Sequence, residues 1–450
     1  MSKHIKIKQG LNIKLKGVAE KVFATAPLPE LIAIKPTDFT GVTPKLLVKQ
    51  GDEVKAGSPL FYDKYNEMLQ FCSPVSGEIV EIVRGEKRKI LEVKILADKE
   101  ISYKEFRKAD PKTLTREEII GILLESGIWP FIRQRPFHVI ANPTHVPKSI
   151  FISAFGSSPL AADNDFIVHG HGEEFQTGLD AITKLTDGTV HLNVSADLMP
   201  SKVFTNSKGV QINKISGPHP SGNVGVQIHH IDPVNKGEVV WYLSPQDVLM
   251  IGRLFIQGQL DATRVIALAG SQVKSPKYFK TLLGSSLKNI LSGNLIEDNN
   301  RIISGSVYTG SQVLPDGFLG FYDTQITVIP EGDEPQFLGW LIPGSEKFSF
   351  SRTFTSWLRP SKEYVLNTNL NGEERPFVIT GEYEKVFPFD IYPMLLTKAI
   401  LIEDIEQMEK LGIYEVAEED FALCEFICPS KIDFQKIIRK GLDTIKKEFS

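Results

Sequence analysis

The sequence has little cysteine: three residues in 450, at Cys72, Cys424 and Cys428. An odd, sparse set without regular spacing excludes a disulfide-stapled secreted protein and points to a reducing compartment, expected to be the cytoplasm. An excess of either charge is also missing. Fifty-one Lys+Arg face 55 Asp+Glu, for a formal net charge of −4, whereas a nucleic-acid binder would show a clustered basic excess, so no nucleic-acid partner is expected. Long apolar runs are absent too. The most apolar window, Val239 to Arg253, is interrupted by Pro245, Asp247 and Arg253 and falls short of the roughly 20 apolar residues of a membrane span. The first residues, Met1-Ser-Lys-His-Ile-Lys-Ile-Lys8, alternate charge with isoleucine rather than forming the apolar core of a signal peptide, and read as a first strand. No G-x-G-x-x-G opens a helix, no G-x-x-x-x-G-K-[ST] loop occurs, and no repeat period emerges.

What is present divides into units, as a chain of this length should. Residues 1–104 are rich in β-branched residues and turn signals. Within them Val48-Lys-Gln-Gly-Asp-Glu-Val-Lys-Ala-Gly-Ser-Pro-Leu60 and Ser73-Pro-Val-Ser-Gly-Glu-Ile-Val-Glu-Ile82 resemble the two halves of a biotinyl/lipoyl-type barrel-sandwich. The hairpin tip between them, Tyr65-Asn-Glu-Met68, has no Met-Lys or Asp-Lys pair, and Lys64 is displaced. A structural rather than a carrier domain is expected.

Residues 105–258 read as a Rossmann-like α/β unit. Thr115 and Glu118 stand in capping-box spacing ahead of a helix to about Glu125, and Gly127 supplies its stop. A strand from Ser149 to Phe155, a helix from Glu173 to Leu185, a strand from Gly188 to Val194 and a helix capped at Ser244 that runs to Gln257 follow, with a Pro/Gly/His loop at Ser216 to Gly225. Such alternation suggests a parallel sheet. Residues 259–332 show short strands around one helix near Phe279 to Leu291, the order of a β-grasp (SLBB-like) module. Residues 333–450 form a linker and a helical domain, with helices from Met394 to Leu411 and from Asp433 to Phe449. The fold class expected is α+β multidomain.

Two constellations bear on chemistry. A ferredoxin-type [4Fe–4S] cluster takes four thiolates in the run C-x2-C-x2-C-x3-C-P. Cys424, Cys428 and Pro429 fit its second half, but Glu418 and Phe421 stand where the first two cysteines belong. No cluster is expected, and because no histidine follows His230, zinc would need ligands from distant segments. Two buried core thiols are the simpler reading. His169-Gly-His-Gly172 resembles a metal pair but lacks a nearby Cys or His partner, so no metal is assigned.

The barrel-sandwich, the α/β unit, the β-grasp module and the cysteine relic on a helical C-terminus together resemble the NADH-oxidising flavoprotein subunit of complex I and the C subunit of the Rnf complex. Most of all they resemble the A subunits of bacterial sodium-translocating NADH:quinone reductases, over essentially the whole chain. The segments that carry this likeness are Gly10-Leu-Asn-Ile-Lys-Leu-Lys-Gly17, Ser216-Gly-Pro-His-Pro220, Gly317-Phe-Leu-Gly-Phe-Tyr322 and Leu423-Cys-Glu-Phe-Ile-Cys-Pro429.

The resemblance implies a peripheral subunit on the cytoplasmic face of the bacterial inner membrane, one of six in a complex that couples NADH:quinone oxidoreduction to Na+ export. The chain would be soluble alone and would dock chiefly on a membrane-embedded subunit. It would belong to an enzyme without holding a complete active site. Flavin-binding relatives have a glycine-rich loop where this chain has Ser126-Gly127-Ile128 leading into Trp129-Pro-Phe-Ile-Arg-Gln-Arg-Pro, which has no glycine to let backbone amides approach a phosphate. No cofactor is therefore expected on this chain, with FMN, FAD and iron–sulfur centres on its partners and a quinone as substrate. A quinone needs a flat apolar slot and donors at its carbonyls. Trp129, Phe131, Arg133, Arg135, Phe137 and His138 are the candidates, with Phe39 and Gly41 completing the same cleft if their loop folds against the first. The alternative keeps Trp129, Phe131 and Phe137 as packing between domains with the arginines paired to carboxylates. The chain would then be a scaffold of this or an Rnf-like complex, with quinone on a membrane partner.

Overall fold

Residues that alternate small, charged and β-branched side chains build the N-terminal strands. The computed structural model describes residues 3–25, 27–333, 337–339, 341, 344–378 and 380–448; Met1, Ser2 and Phe449 of the terminal strand and helix readings lie outside them. The strands Leu31–Ile34, Ile90–Ala97, Gly77–Arg84 and Glu53–Val54 form one sheet, and Pro44–Leu46, Pro59–Asp63 and Asn66–Cys72 a second. Their inward residues, among them Leu60, Phe61, Phe71, Ile79, Val93 and Ile95, make a shared core. The hairpin tip leaves Tyr65 exposed, with Lys64 over its ring at 5.5 Å.

Among the described residues the central sheet has seven strands. Its order is His4–Lys6, Gln211–Ser216, Thr189–Ser195, Ser149–Ser153, Val240–Leu243, Arg133–Arg135 and Val139–Ile140. The first five are parallel. Chain order runs outward from Ser149–Ser153 on one side and then returns to its other side with Val240–Leu243, so the order in which strands are added reverses there while the strands stay parallel. The stretch read as a loop after Trp129 becomes strand: Arg133–Arg135 pairs antiparallel with Val240–Leu243 and with Val139–Ile140. A neighbour a hundred residues away supplies the ladder, which no local pattern announces.

The third sheet joins Ser311–Gln312, Asn300–Ser304, Gln325–Pro330, Thr263–Ala269, Lys277–Leu282 and Glu20–Ala24. Here the helix expected from Phe279 to Leu291 is corrected. Residues Lys277–Leu282 are extended against Thr263–Ala269, and only Lys288–Leu291 is helical. In the helical unit the expected helix from Met394 to Leu411 is two, Pro393–Leu401 and Ile405–Lys410. Glu403 turns left-handed (φ 57°) between them and Asp404 caps the second through the Gln407 amide. Phe434–Glu448 buries Phe434, Ile438, Leu442 and Ile445 along one face, as its periodicity predicts.

The capping boxes at Thr115/Glu118 and Ser244/Asp247 both form. The Ser244-capped helix Pro245–Gln257 packs against Gly172–Ile182 at very short range through Gly178 and Gly252. A methyl group at Gly252 would lie 1.7 Å from the Glu174 carbonyl oxygen. Gly252→Ala should therefore destabilise the chain by up to about 2 kcal/mol in urea unfolding, because the overpacking cost of about 1–3 kcal/mol outweighs the roughly 1 kcal/mol gain in helix propensity.

Candidate functional site

The segment after Gly127 opens with a single turn, Trp129–Phe131, started by Pro130. That turn sends its aromatic side chains inward. Trp129 is fully buried, its indole Nε1 donating to the Ala141 carbonyl at 2.7 Å and its ring edge-on to Trp241 at 5.4 Å. Phe131 stacks on Phe321 at 4.4 Å, and Phe39 meets the same Phe321 at 4.6 Å and Phe71 at 4.3 Å. The Phe39 loop thus folds against the Trp129 loop. Gly41, in the left-handed region (φ 79°), is exposed and stands apart from these rings, near Val139 and the Lys446 ammonium.

The arginines of the Arg133–Arg135 strand alternate in fate. Arg133 is half-buried between two phenol rings, Tyr242 at 4.8 Å and Tyr322 at 4.5 Å. Its Nη1 donates to His138 Nε2 at 3.0 Å. Because a guanidinium only donates, His138 must accept at Nε2 and carry its proton on Nδ1. Burial and the neighbouring Arg133, Arg135 and Arg439 hold this imidazole well below its ordinary pKa, so it is neutral.

Arg135 has no exposed surface. Its Nη1 donates to Asp420 at 3.0 Å and its Nη2 to Glu419 at 2.8 Å. Asp420 also accepts from the Ala417 amide at 2.8 Å, while burial pushes its carboxyl up to about 6 against the pull of Arg135. Phe137, left-handed at φ 79°, meets Tyr414 edge-on at 6.2 Å, and its carbonyl accepts from Arg439 at 2.9 Å. Seven of eight sequence-predicted residues therefore lie along one joint, a run of contacts that passes from the barrel-sandwich through the central sheet to the helical unit; Gly41, near Val139 and Lys446, touches none of its rings. Phe321, Tyr322 and Tyr242 complete that joint and were not expected in it. The adjacent Phe321-Tyr322 pair, inside a segment that carries the family likeness, was a usable signal, while Tyr242 sits inside an apolar strand and gives none.

Beside the joint, at the carboxyl ends of the parallel strands, lies a cleft of about 240 Å³ bordered by Ser153, His219, Tyr308, Tyr322 and Glu419. His219 stacks parallel on Tyr308 at 5.1 Å and its Nδ1 meets Ser157 Oγ at 3.0 Å. The Tyr308 hydroxyl is buried with no partner among the described residues.

The cysteine relic is packed shut. Cys424 and Cys428 are buried among apolar residues, Cys428 Sγ lies 3.1 Å from the Tyr383 hydroxyl, and burial raises the Cys424 thiol well above its usual range. Phe421 packs on Phe387 at 4.7 Å and Glu418 pairs with Arg439 at 3.4 Å, so the positions of the missing ligands have other uses. Among the described residues no group of three or more His, Cys, Asp or Glu side chains is arranged to hold a metal ion, and no helix is long and apolar enough to cross a membrane.

Two outcomes are expected. Arg135→Met strands the Asp420 carboxylate and should cost about 3–5 kcal/mol, whereas the double variant Arg135→Met/Asp420→Asn, which leaves only the partly exposed Glu419 without its partner, should recover most of it in urea unfolding. His191 and His219 are pushed by burial down to about 4. The unfolded chain takes up protons at these rings near pH 6.5 and the folded chain does not, so stability is complete above about 6.5 and falls as the pH drops towards 4. In His219→Gln that acid loss should be shallower by up to about 3 kcal/mol between about pH 7 and 4.5.

Family profiles described as "NqrA N-terminal barrel-sandwich hybrid domain", "NqrA second alpha/beta domain" and "NQRA C-terminal domain" match residues 5–98, 114–260 and 265–314. The protein named as the A subunit of the Na(+)-translocating NADH-quinone reductase in Photorhabdus laumondii subsp. laumondii is 39% identical over 447 residues, 99% of this chain and 100% of its own length. Its namesake in Rhodopirellula baltica is 39% identical over 450 residues, 98% of each chain. That of Neisseria meningitidis serogroup A is 39% identical over 449 residues, 99% of this chain and 100% of its own. With its barrel-sandwich N-terminus and this full-length likeness, the chain belongs to the family of A subunits of the Na(+)-translocating NADH-quinone reductase, an oxidoreductase complex.

Proposed function

We propose that this chain is the peripheral subunit on the cytoplasmic face of the bacterial inner membrane in a six-subunit sodium-pumping NADH:quinone oxidoreductase. It docks on a membrane-embedded partner and serves the quinone end as a scaffold, while FMN, FAD and the iron–sulfur centres belong to other subunits. In the same reading, residues 105–258 are Rossmann-like and residues 259–332 β-grasp-like, followed by the linker and helical domain from residue 333. The parallel strands between helices support the first assignment and the short helix Lys288–Leu291 among strands the second.

One observation carries the scaffold reading: the loop suited by composition to a quinone is already filled. Trp129, Phe131 and Phe39 are 0%, 1% and 3% exposed, each against another ring, and Arg135 is bound to two carboxylates. A flat head group needs an open apolar slot, and rings at van der Waals separation leave none among these residues.

A second reading, quinone contact within this chain, is supported by the cleft beside Tyr322. It opens past the carboxyl ends of Ser149–Ser153 and Gln211–Ser216, the end of the sheet at which open α/β folds take their ligands. Tyr308 offers an unused hydroxyl there, and Arg133 lies behind the Tyr322 ring. Purified whole complex carrying Tyr308→Phe or Arg133→Gln separates the two. The scaffold reading expects KM for a short-tail quinone to stay within about twofold of the unaltered complex. An increase of about tenfold at unchanged subunit content sinks it in favour of quinone contact on this chain.

A further inference from the structure

The segment His169-Gly-His-Gly172 takes no part in the joint or its cleft. It borders a separate pocket of about 280 Å³ between the third sheet and the helix Pro245–Gln257. Register explains what faces it. Val265 and Lys280 are cross-strand partners and so share a face of the sheet, and Thr263, two residues before Val265, lies on that face as well. From the opposite side Gln246, Leu249 and Arg253 present one face of the helix at i, i+3 and i+7. His169 and His171 close the flank.

The floor of this pocket is apolar, formed by Phe23, Ile167, Leu249 and Val265. Its rim is one-sided: Arg253, Lys280 and the two imidazoles line it, and among the described residues no carboxylate does. The acids that approach these groups are already engaged, Glu174 with His171 Nδ1 at 3.1 Å and Asp261 with Arg253 at 3.3 Å. Lys280 and the His169 ring have no hydrogen-bond or ion-pair partner among the described residues. Gln246 is not available to a ligand, since its side-chain amide brackets Val265, accepting from the amide and donating to the carbonyl, both at 2.9 Å.

We propose that this pocket binds a small amphipathic anion, a monocarboxylate on a compact aliphatic body. The body lies against Phe23, Leu249 and Val265, and the carboxylate meets Lys280 and Arg253 through charge-assisted hydrogen bonds. An uncharged chain would bury the floor but forgo the charge-assisted contact with Lys280, and an amine would meet two cations. A nucleotide is too large for a volume at the lower end of the range for ligand sites, and too polar for the floor. The pocket is separate from the proposed docking and quinone roles and stands or falls apart from them.

Sodium octanoate, titrated calorimetrically into the full-length chain, tests this with octanol and octylamine as size-matched controls. Octanoate should bind saturably, about tenfold or more tighter than either control. Lys280→Glu, at the rim, should weaken it by about tenfold or more with the unaltered chain's circular dichroism and melting temperature. Phe23→Ala, on the half-exposed floor, should weaken it as much with unchanged circular dichroism, its melting temperature lowered only by the lost stack on Phe166. Both positions are solvent-accessible, so folding survives the changes. Absence of saturation, equal binding of octanol, or unchanged affinity in Lys280→Glu overturns the proposal.

Discussion

Arg135 has no water around it and cannot shed its proton, so the fold around it must supply negative charge. Asp420 and Glu419, nearly three hundred residues later, do so. This one requirement ties the antiparallel edge of the central sheet to the start of the helical run that carries the cysteines. The approach depends on a third element. Gly225, in the helix Val224–Ile231, has no Cβ, and one placed there would stand 2.6 Å from an Asp420 carboxylate oxygen and 3.0 Å from Arg135 Nη2. Sheet edge, helical unit and crossover helix are therefore mutually positioned by a single buried ion pair. Such a pair adds little net stability but makes other arrangements costly, because separating it would leave a bare charge in the core.

Two residues earlier, Arg133 solves the same desolvation problem differently. Among the described residues it has no carboxylate within ion-pair range, and the faces of Tyr242 and Tyr322 take the place of water, at about 2 kcal/mol or less for each desolvated contact. Its remaining hydrogen bond goes to a histidine that burial, and then the surrounding positive charge, keeps neutral. The aromatic layer of Phe39, Phe71, Phe131 and Phe321 then closes the barrel-sandwich onto the third sheet. A composition that suits a planar ligand suits equally a dry joint between units, since both need flat apolar faces beside a few fixed cations. Burial at the joint separates the two uses.

The features legible in the sequence were those whose causes are local. The boxes at Thr115 and Ser244 involve partners three residues apart, and both formed as spaced. The barrel-sandwich turns and the apolar stripe of Phe434–Glu448 were legible on the same grounds. One misreading had a local cause, the Asp404 cap that divides Pro393–Leu401 from Ile405–Lys410, and the others followed non-local partners. Tyr278 to Leu282 has enough apolar content for helix or strand, and the antiparallel neighbour Thr263–Ala269 decided for strand. The aromatic and arginine residues after Gly127 were singled out correctly as a group, but their hairpin, their ring partners Phe321 and Tyr242, and Arg135's two carboxylates come from segments far along the chain.

By itself the sequence determined the barrel-sandwich at the N-terminus, the half-motif at Cys424 and Cys428, and which loop concentrates aromatics and cations, because those properties belong to residue types and short spacings. Only the tertiary structure decided that the thiols are sealed beside Tyr383, that Trp129 and Phe131 face rings rather than open space, and that Gly41 stands apart from Phe39. The physical reason is desolvation. Whether a polar or aromatic side chain is available for chemistry depends on what removes its water, and in this chain that partner is usually more than a hundred residues away.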